Sequence, residues 1–551
     1  MRDEHDALSD RPVTPPSGRG PVVAPRRSPP EPPRGGASPS QTATQPGDLN
    51  PELINTDIWT DEMVARSGIP VIDVPFVTVG GGIGSFVTAD YLRIYGVPAA
   101  SIAVLSGLDV PWQSYEYLTR VSQVPRGERL RSDSASCPDN IWGFPSYAVR
   151  EAFTAKSLKG FLDPLWNILT EPILRDYYTP RAGQVFSAME KEFDRIGLRD
   201  RTYKGQVRMV RRRSEGGYYT ILTPPAGAAR TKRIAFRSLH AHIAIGYPGL
   251  RLLPDLQRYR EEHRDPSKVV NAYEPHEHVY RQLALRPGRV IIRGGGIVAS
   301  RVLQRLIDDR DKLGLRTEIV HIFRTYFAGP HGKNIFNRRP GSHGWAYQGF
   351  NYPKSVWGGQ LKYKIAKLEG ADRAQAYEDM GGTNTPYRRN WQKQLRRGRA
   401  EGWYRTLQGT VEHLRPAGTG GGVITTLMTA QGRFEEYADF VIDCTGLEAD
   451  IRESRVLADL LDHSGAGRNP KDRLDVTAAF EVIGTRSRPG RLYASGSSTL
   501  GGPFPGIDTF LGLQIAAQEI ADDLSKLGFC KKLGPLRSTG QWWLWATGRK
   551  I

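Results

Sequence analysis

The residues of this chain best placed to do chemistry are glycines. Two runs carry them: Phe76-Val77-Thr78-Val79-Gly80-Gly81-Gly82-Ile83-Gly84-Ser85 and Arg289-Val290-Ile291-Ile292-Arg293-Gly294-Gly295-Gly296-Ile297-Val298-Ala299-Ser300. Each is a short apolar stretch, then a G-x-G-x-x-[S/A] turn. The first glycine, Gly80 or Gly294, permits the tight passage from strand to helix. The second, Gly82 or Gly296, lets backbone approach a pyrophosphate. The third position, Ser85 or Ala299, must be small so that helix and strand pack closely. Alanine is an accepted variant there; serine is a departure. The anion would rest on free N–H groups at the positive end of the helix dipole. Gly81, Gly84, Gly295 and Ser300 complete the two loops. One such match is weak; two, each behind an apolar strand, predict two dinucleotide sites, between which electrons can pass.

The strand after each turn sets the nucleotide preference. Behind the first, residues 83–95 read as a helix and 101–105 as the next strand, a βαβ unit with a right-handed crossover. An acid usually closes that strand and binds a ribose hydroxyl. Here Ser106 stands, with Asp109 three residues on, and a serine hydroxyl can make the same bond with less specificity. Behind the second turn, residues 318–323 form the strand and Arg324 ends it. An arginine there can pair with a 2′-phosphate, whereas an acid would bond a free 2′-hydroxyl. The second site is therefore expected to prefer NADPH, with Arg293 and Arg301 close enough to share the role.

Three further strand-to-glycine junctions follow the same logic: residues 241–248 running into Gly246-Tyr247-Pro248, residues 438–446 ending Asp443-Cys444-Thr445-Gly446, and residues 491–498 containing Gly496-Ser497. After the last comes Gly501-Gly502-Pro503-Phe504-Pro505-Gly506, and Asp508-Thr509 opens a helix. The positive end of that helix would suit an anionic ligand.

The supporting elements can be read more coarsely. The chain has 551 residues and a formal net charge of +18. Residues 1–50 hold 11 of the 39 prolines and almost no large apolar side chains, so they cannot offset their ordering entropy and are expected to be disordered. They also lack the apolar core of a secretory signal. Residues 51–75 read as a lead-in. Helices are expected at about 148–175 and 183–196, and a hairpin at 206–222. No apolar run is long enough to span a membrane. The three cysteines are far apart with no C-x-x-C, which excludes a redox disulfide of that type and suits a reducing cytoplasm. No metal-ligand spacing occurs. The basic run 388–399 is expected first as a solvated helix face, next as an electrostatic funnel for NADPH or an acidic substrate, and least as a nucleic-acid contact.

The order of these motifs resembles the flavoproteins with two dinucleotide-binding domains, over roughly residues 75–525. The resemblance implies an α/β fold of two Rossmann-like domains, with an NADPH domain inserted in an FAD domain. It divides the chain into a tail at 1–50, FAD-binding segments at 51–254 and 438–530, an NADPH-binding segment with an insertion at 255–437, and a C-terminal tail at 531–551. The disulfide reductases of that superfamily need a cysteine pair that is absent here, and their C-terminal Gly-Asp is Gly496-Ser497. The NADPH-dependent flavin monooxygenases are more similar. Their helix led by Pro-Arg, hairpin and A-x-G-x-P strand match 179–248, and Asp443-Cys444-Thr445-Gly446 looks like their second "ATG" element. The resemblance implies that NADPH reduces FAD, which activates dioxygen to oxygenate an amine, sulfur or carbonyl carbon of a small molecule.

Two other functions stay open on the sequence. One is an NADPH-dependent reductase of a quinone or other electron carrier. The other is a non-catalytic dinucleotide-binding scaffold, suggested by Ser85, Ser106 and Ser497. A stretch rich in aromatic and polar residues is the candidate substrate wall: His331, Lys333, Asn334, Arg338, His343, Trp345, Tyr347, Asn351, Tyr352 and Trp357. The Trp-rich end, residues 541–551, is expected to pack on the body or close a homodimer rather than to lie at a membrane interface.

Overall fold

The computed structural model describes residues 46–551 except 131–133, 172–177, 333–338, 348–359, 381–384, 386, 419–420 and 449. Two parallel five-stranded sheets organise the chain, and each places its glycine-turn strand in the middle. In the first sheet the order is Leu492–Ala494, His240–Ile243, Phe76–Val79, Ile102–Ser106, Thr202–Lys204. In the second it is Val269–Asn271, Phe440–Asp443, Arg289–Arg293, Glu318–Phe323, Tyr404–Gln408. The central strands, FVTV and RVIIR, are buried along nearly their whole length, as parallel strands covered on both faces must be. All strands of the second sheet lie in sequence between His240–Ile243 and Leu492–Ala494 of the first. The fold is thus one Rossmann-like unit inserted in another.

Behind each central strand the chain enters a helix, Ile83–Ile94 or Ile297–Leu313. The first packs on helix Phe510–Lys526 and carries Phe86, Val87 and Leu92 into the larger core. The second buries Ala299, Val302, Leu303 and Leu306 in a separate core with Trp345, Trp391 and Trp403. Two larger sheets, one antiparallel and one mixed, complete the scaffold. Residues Thr410–Pro416, Val423–Thr429 and Gly432–Ala438 make a three-stranded meander. Ile58–Trp59, Gln206–Arg213, Tyr218–Thr223, Ile234–Ser238 and Val71–Asp73 make a five-stranded sheet beside the first unit.

Three sequence expectations need correction. The lead-in at 51–75 carries two strands of its own, since Ile58–Trp59 and Val71–Asp73 pair in parallel with Gln206–Arg213 and Ile234–Ser238 as edge strands of the mixed sheet. The end of the predicted tail is packed: Leu49 joins the core of Trp59 and Val64, Asp48 pairs with Lys232 and Arg233, and Asn50 caps helix Pro51–Asn55. Residues 1–45 of that tail lie outside the described residues. The division at 437/438 also falls on the wrong side of a strand, since Phe440–Asp443 hydrogen-bonds between two strands of the second sheet. The Trp-rich end folds as helix Pro535–Ala546 and packs on the body, with Trp545 against Trp142 and Phe144. Among the described residues no helix is long and apolar enough to cross a membrane.

Candidate functional site

Both glycine turns open into one cleft of about 1460 Å³ between the two Rossmann units. Its walls include Gly80, Gly82 and Gly84 from the first turn, Gly294, Gly295, Gly296 and Ser300 from the second, and Gly246, Gly446, Gly496 and Ser497 from the three other junctions. Arg324, Asp508 and Thr509 also face it. Residues 200 to 400 positions apart in sequence are brought together because all the glycine junctions follow the carboxyl ends of parallel strands, and that edge is where open α/β sheets bind ligands.

The turns have the geometry that a diphosphate needs. Gly80 and Gly294 hold φ of +118° and +112°, where an L side chain is strained. A Cβ at Gly80 would press into the Ala244 carbonyl, and one at Gly294 would come within 2.7 Å of the Cys444 carbonyl. Gly82 is different: the nearest atom to a Cβ there is the Pro111 carbonyl at 4.0 Å, so its missing side chain leaves open cleft. Gly82 and Gly296 are the N-caps of the two helices, and neither makes a side-chain cap bond. The leading N–H groups therefore keep their donors for a ligand. Helix Phe510–Lys526 points its start at the same cleft, but there Thr509 Oγ1 accepts from Gly512 N–H at 3.1 Å.

Four predicted residues lie behind the surface rather than on it. Ser85 and Ala299 are fully buried where helix meets strand. Ser85 Oγ accepts from Gly81 N–H at 3.1 Å, so the serine closes its own turn. Gly81 is backed by Ser106. The Ser106 hydroxyl is buried and accepts from Leu108 N–H at 2.8 Å, which makes it a brace beneath the turn in place of the ribose contact expected of it. By contrast, the buried Ser497 Oγ faces no protein partner and borders the cleft, an unfilled hydrogen-bonding position next to Gly496.

The arginines divide clearly. Arg293 is taken by Asp255 at 2.5 Å. Arg301 is taken by Glu128 at 3.1 Å and the Arg129 carbonyl at 3.0 Å. Arg129 itself is bound to Glu151. Arg324 is exposed on the cleft wall and has no ion pair among the described residues. Asp508, which also lines the cleft, accepts from Tyr247 Oη at 2.8 Å. Below the Gly446 junction, burial pushes the Asp443 carboxyl up to about 6, and Thr445 Oγ1 donates to it at 2.9 Å. Burial likewise pushes the Cys444 thiol up, so it is held as thiol, and all three cysteines are free.

Of the substrate wall expected from residues 326–360, the four described members, His331, His343, Trp345 and Tyr347, do not line the cleft. Trp345 and Tyr347 are core residues, with Trp345 Nε1 donating to Tyr404 Oη at 2.9 Å. His331 stacks on Phe327, and His343 is exposed away from the cleft. Lys333, Asn334, Arg338, Asn351, Tyr352 and Trp357 lie outside the described residues. Among the described residues of this stretch, Phe327, Gly344 and Ala346 line the cleft. A wall that the sequence reading missed comes from Tyr115, Tyr117 and Leu118 of helix Gln113–Val121, with Tyr247 and Tyr273. Its one signal was the aromatic spacing Trp112, Tyr115 and Tyr117. The basic run forms helix Arg389–Ala400, whose Trp391 and Leu395 are buried while most of its arginines are solvated.

No protein-family model matches the chain, and no curated protein matches it in sequence. Solved structures do match in fold. An ornithine N-hydroxylase from Kutzneria sp. 744 superposes with a TM-score of 0.57 at 13% identity, over 83% of this chain and 99% of that one. The ornithine hydroxylase of Pseudomonas aeruginosa gives 0.54 at 16%, over 83% and 100%. The FAD-bound cadaverine monooxygenase of Erwinia amylovora gives 0.55 at 12%, over 82% and 94%. The fold expected from the order of the glycine motifs is the fold these flavin enzymes share.

Proposed function

We propose that the chain is an FAD- and NADPH-dependent oxidoreductase that oxygenates a small molecule with dioxygen. The observation that carries this is the single cleft onto which two uncapped glycine-turn helices open. One site alone would fit a binding protein; two facing each other suit transfer between two redox ligands. FAD is assigned to the first turn and NADPH to the second. When bound, FAD would accept a hydride from NADPH and supply the reactivity toward dioxygen.

The chain's own contribution is to bind and orient. Gly82 lets backbone and the N-terminus of helix Ile83–Ile94 meet the FAD pyrophosphate. Ser497 offers a hydroxyl that no protein group uses. Thr509 and the helix it caps add partial positive charge at the junction of the two units. Around the second turn, Gly294, Gly295, Gly296 and Ser300 receive the NADPH pyrophosphate, and the unpaired Arg324 meets the 2′-phosphate. Tyr115, Tyr117 and Tyr273 narrow the cleft and exclude water. The substrate is proposed to be a small amine, the class named for the hydroxylases of Pseudomonas and Kutzneria and the monooxygenase of Erwinia that share the fold. A reducing cytoplasm is the proposed setting.

The test is the visible spectrum of purified protein before and after NADPH, followed by product analysis under labelled dioxygen with a panel of diamines and basic amino acids. A yellow protein bleached by NADPH, with label in a hydroxylated product, is the expected result. Bleaching with electron delivery to a quinone and no label would assign a reductase. Colourless protein that does not take up FAD would assign a scaffold.

A further inference from the structure

An apolar stripe lies outside the cleft and is unused by the proposed reaction. Helix Leu158–Thr170 buries Pro164 on its inner side and sets Ile168 against the main core. Its outer side carries Leu158, Leu162, Trp166 and Leu169, a spacing that aligns them on one face. They are 75%, 49%, 63% and 72% exposed, and Phe153 on the preceding helix Ser146–Thr154 is 73% exposed. Phe153 packs edge-on against Phe161 at 5.4 Å, which extends the stripe across both helices.

We infer that this face pairs two copies of the chain, helix against helix about a two-fold axis. Area is the first argument. The five side chains expose roughly 600 Å², at the top of what a monomer usually leaves open. A standard interface needs about 800 Å² from each partner, which the stripe and its rim supply. Charge is the second. The exposed charged residues flanking the stripe, Arg150, Lys156, Lys159 and Asp163, carry both signs. An anionic bilayer would call for a basic rim alone; a mixed rim suits another protein surface. The chain's own first 45 residues offer no complement, since they contain no aromatic residue and only Met1, Leu8 and three valines as large apolar groups. Helix-on-helix packing about a two-fold axis is self-complementary, so one stripe suffices. An antiparallel pairing centred on the stripe sets Leu162 near the partner's Trp166.

The experiment is sedimentation of flavin-loaded full-length protein across a dilution series. The wild type should be dimeric. Leu162→Glu with Trp166→Glu should raise the dimer dissociation constant by roughly a hundredfold or more, with the flavin spectrum unchanged. A second measurement does not depend on that variant folding. Leu162→Cys treated with a short bis-maleimide should give a covalent dimer, whereas Leu285→Cys, on an exposed leucine elsewhere, should not. A monomeric wild type, a dimer that survives the double substitution, or equal cross-linking of the two cysteine variants would each overturn the inference. So would a monomer that binds phosphatidylserine vesicles through Leu162 and Trp166, which would make the occupant a lipid surface.

Discussion

At the first turn the bend is fastened from within: Ser85 Oγ accepts the Gly81 N–H at 3.1 Å, and Ser106 braces the loop from below. At the second turn Ala299 leaves the equivalent place apolar, and the fastening comes from the next strand. His321 Nε2 donates to the Gly294 carbonyl at 2.6 Å, and its ring stacks on Phe323. The strand ends differ as well. The first has a buried hydroxyl, the second a free guanidinium at Arg324. Two turns with the same glycine spacing thus differ in what stands beside them. In the proposed assignment the first would hold its ligand by shape and helix dipole, and the second would add a point charge able to distinguish one nucleotide from another.

The comparison breaks most directly at the cleft-facing glycines. Gly82→Asp sets a carboxylate against the pyrophosphate of the first site, and bound flavin should be lost completely. Gly296→Asp should leave the protein yellow and abolish its reduction by NADPH. Absorbance at the flavin band checks both, and a full yellow complement in Gly82→Asp would refute the assignment of the first turn.

Next in size is Arg324→Ala. A guanidinium meets a 2′-phosphate with charged hydrogen bonds of about 1.5–3 kcal/mol. The Michaelis constant for NADPH should rise roughly ten- to a hundredfold, at about 1.4 kcal/mol per tenfold, with that for NADH almost unchanged. Arg293 and Arg301 are held by acids, so neither is free to take over. Equal loss with both nucleotides, measured by flavin reduction, would show that the second site does not discriminate through this residue.

Acid should weaken both units through buried histidines. In the first, burial holds His240 down to about 4 and His242 down to about 3, with His242 bridging Thr78 and Ser495. In the second, burial holds His321 down to about 4. Below about pH 6.5 the unfolded imidazoles bind protons that the folded ones do not. Each histidine therefore subtracts stability as pH falls from about 6.5 toward 4, by about 1.4 kcal/mol per unit, while the buried Asp443 and Asp139 carboxyls, pushed up to about 6, add stability over part of the same range. Denaturant unfolding of the wild type and of His321→Gln at pH 7, 6 and 5 reads the share of one imidazole, and identical slopes would contradict it.

The smallest effect sharpens the comparison of fastenings. Ser85→Ala makes the first turn resemble the second without supplying a histidine. It strands the Gly81 N–H, at a cost of about 1–3 kcal/mol, and thermal unfolding should drop by a few degrees. An unchanged melting temperature would mean that the serine is merely tolerated.

Much of the architecture was legible because it rests on local patterns. Val-Ile runs ending in glycine announce buried parallel strands, and their order along the chain carries the resemblance that implied the insertion of one Rossmann unit in the other. The neighbour of a strand was not legible. Phe440–Asp443 carries the same apolar run whichever sheet it joins, and only its hydrogen bonds to Val269–Asn271 and Arg289–Arg293 decide. Ile58–Trp59 and Val71–Asp73 are too short to show a period. Ser106 was read from its place in a fingerprint, but the Leu108 N–H two residues on takes its hydroxyl. Trp345 and Tyr347 read as pocket residues by type, yet the packing of His321 and Trp391 against them makes them core.

The insertion also sets a timetable for synthesis. His240–Ile243 pairs on one side with Phe76–Val79, but its other partner is Leu492–Ala494, near the end of the chain. The inserted sheet has all its strands once Asp443 has emerged. At about 5–20 residues per second, the ribosome leaves the edge of His240–Ile243 without its final strand for tens of seconds, while the unit made later closes first. An unpaired apolar edge in a half-made protein is a template for wrong partners. The interval in which this chain most needs a chaperone thus falls between translation of Ile243 and translation of Leu492.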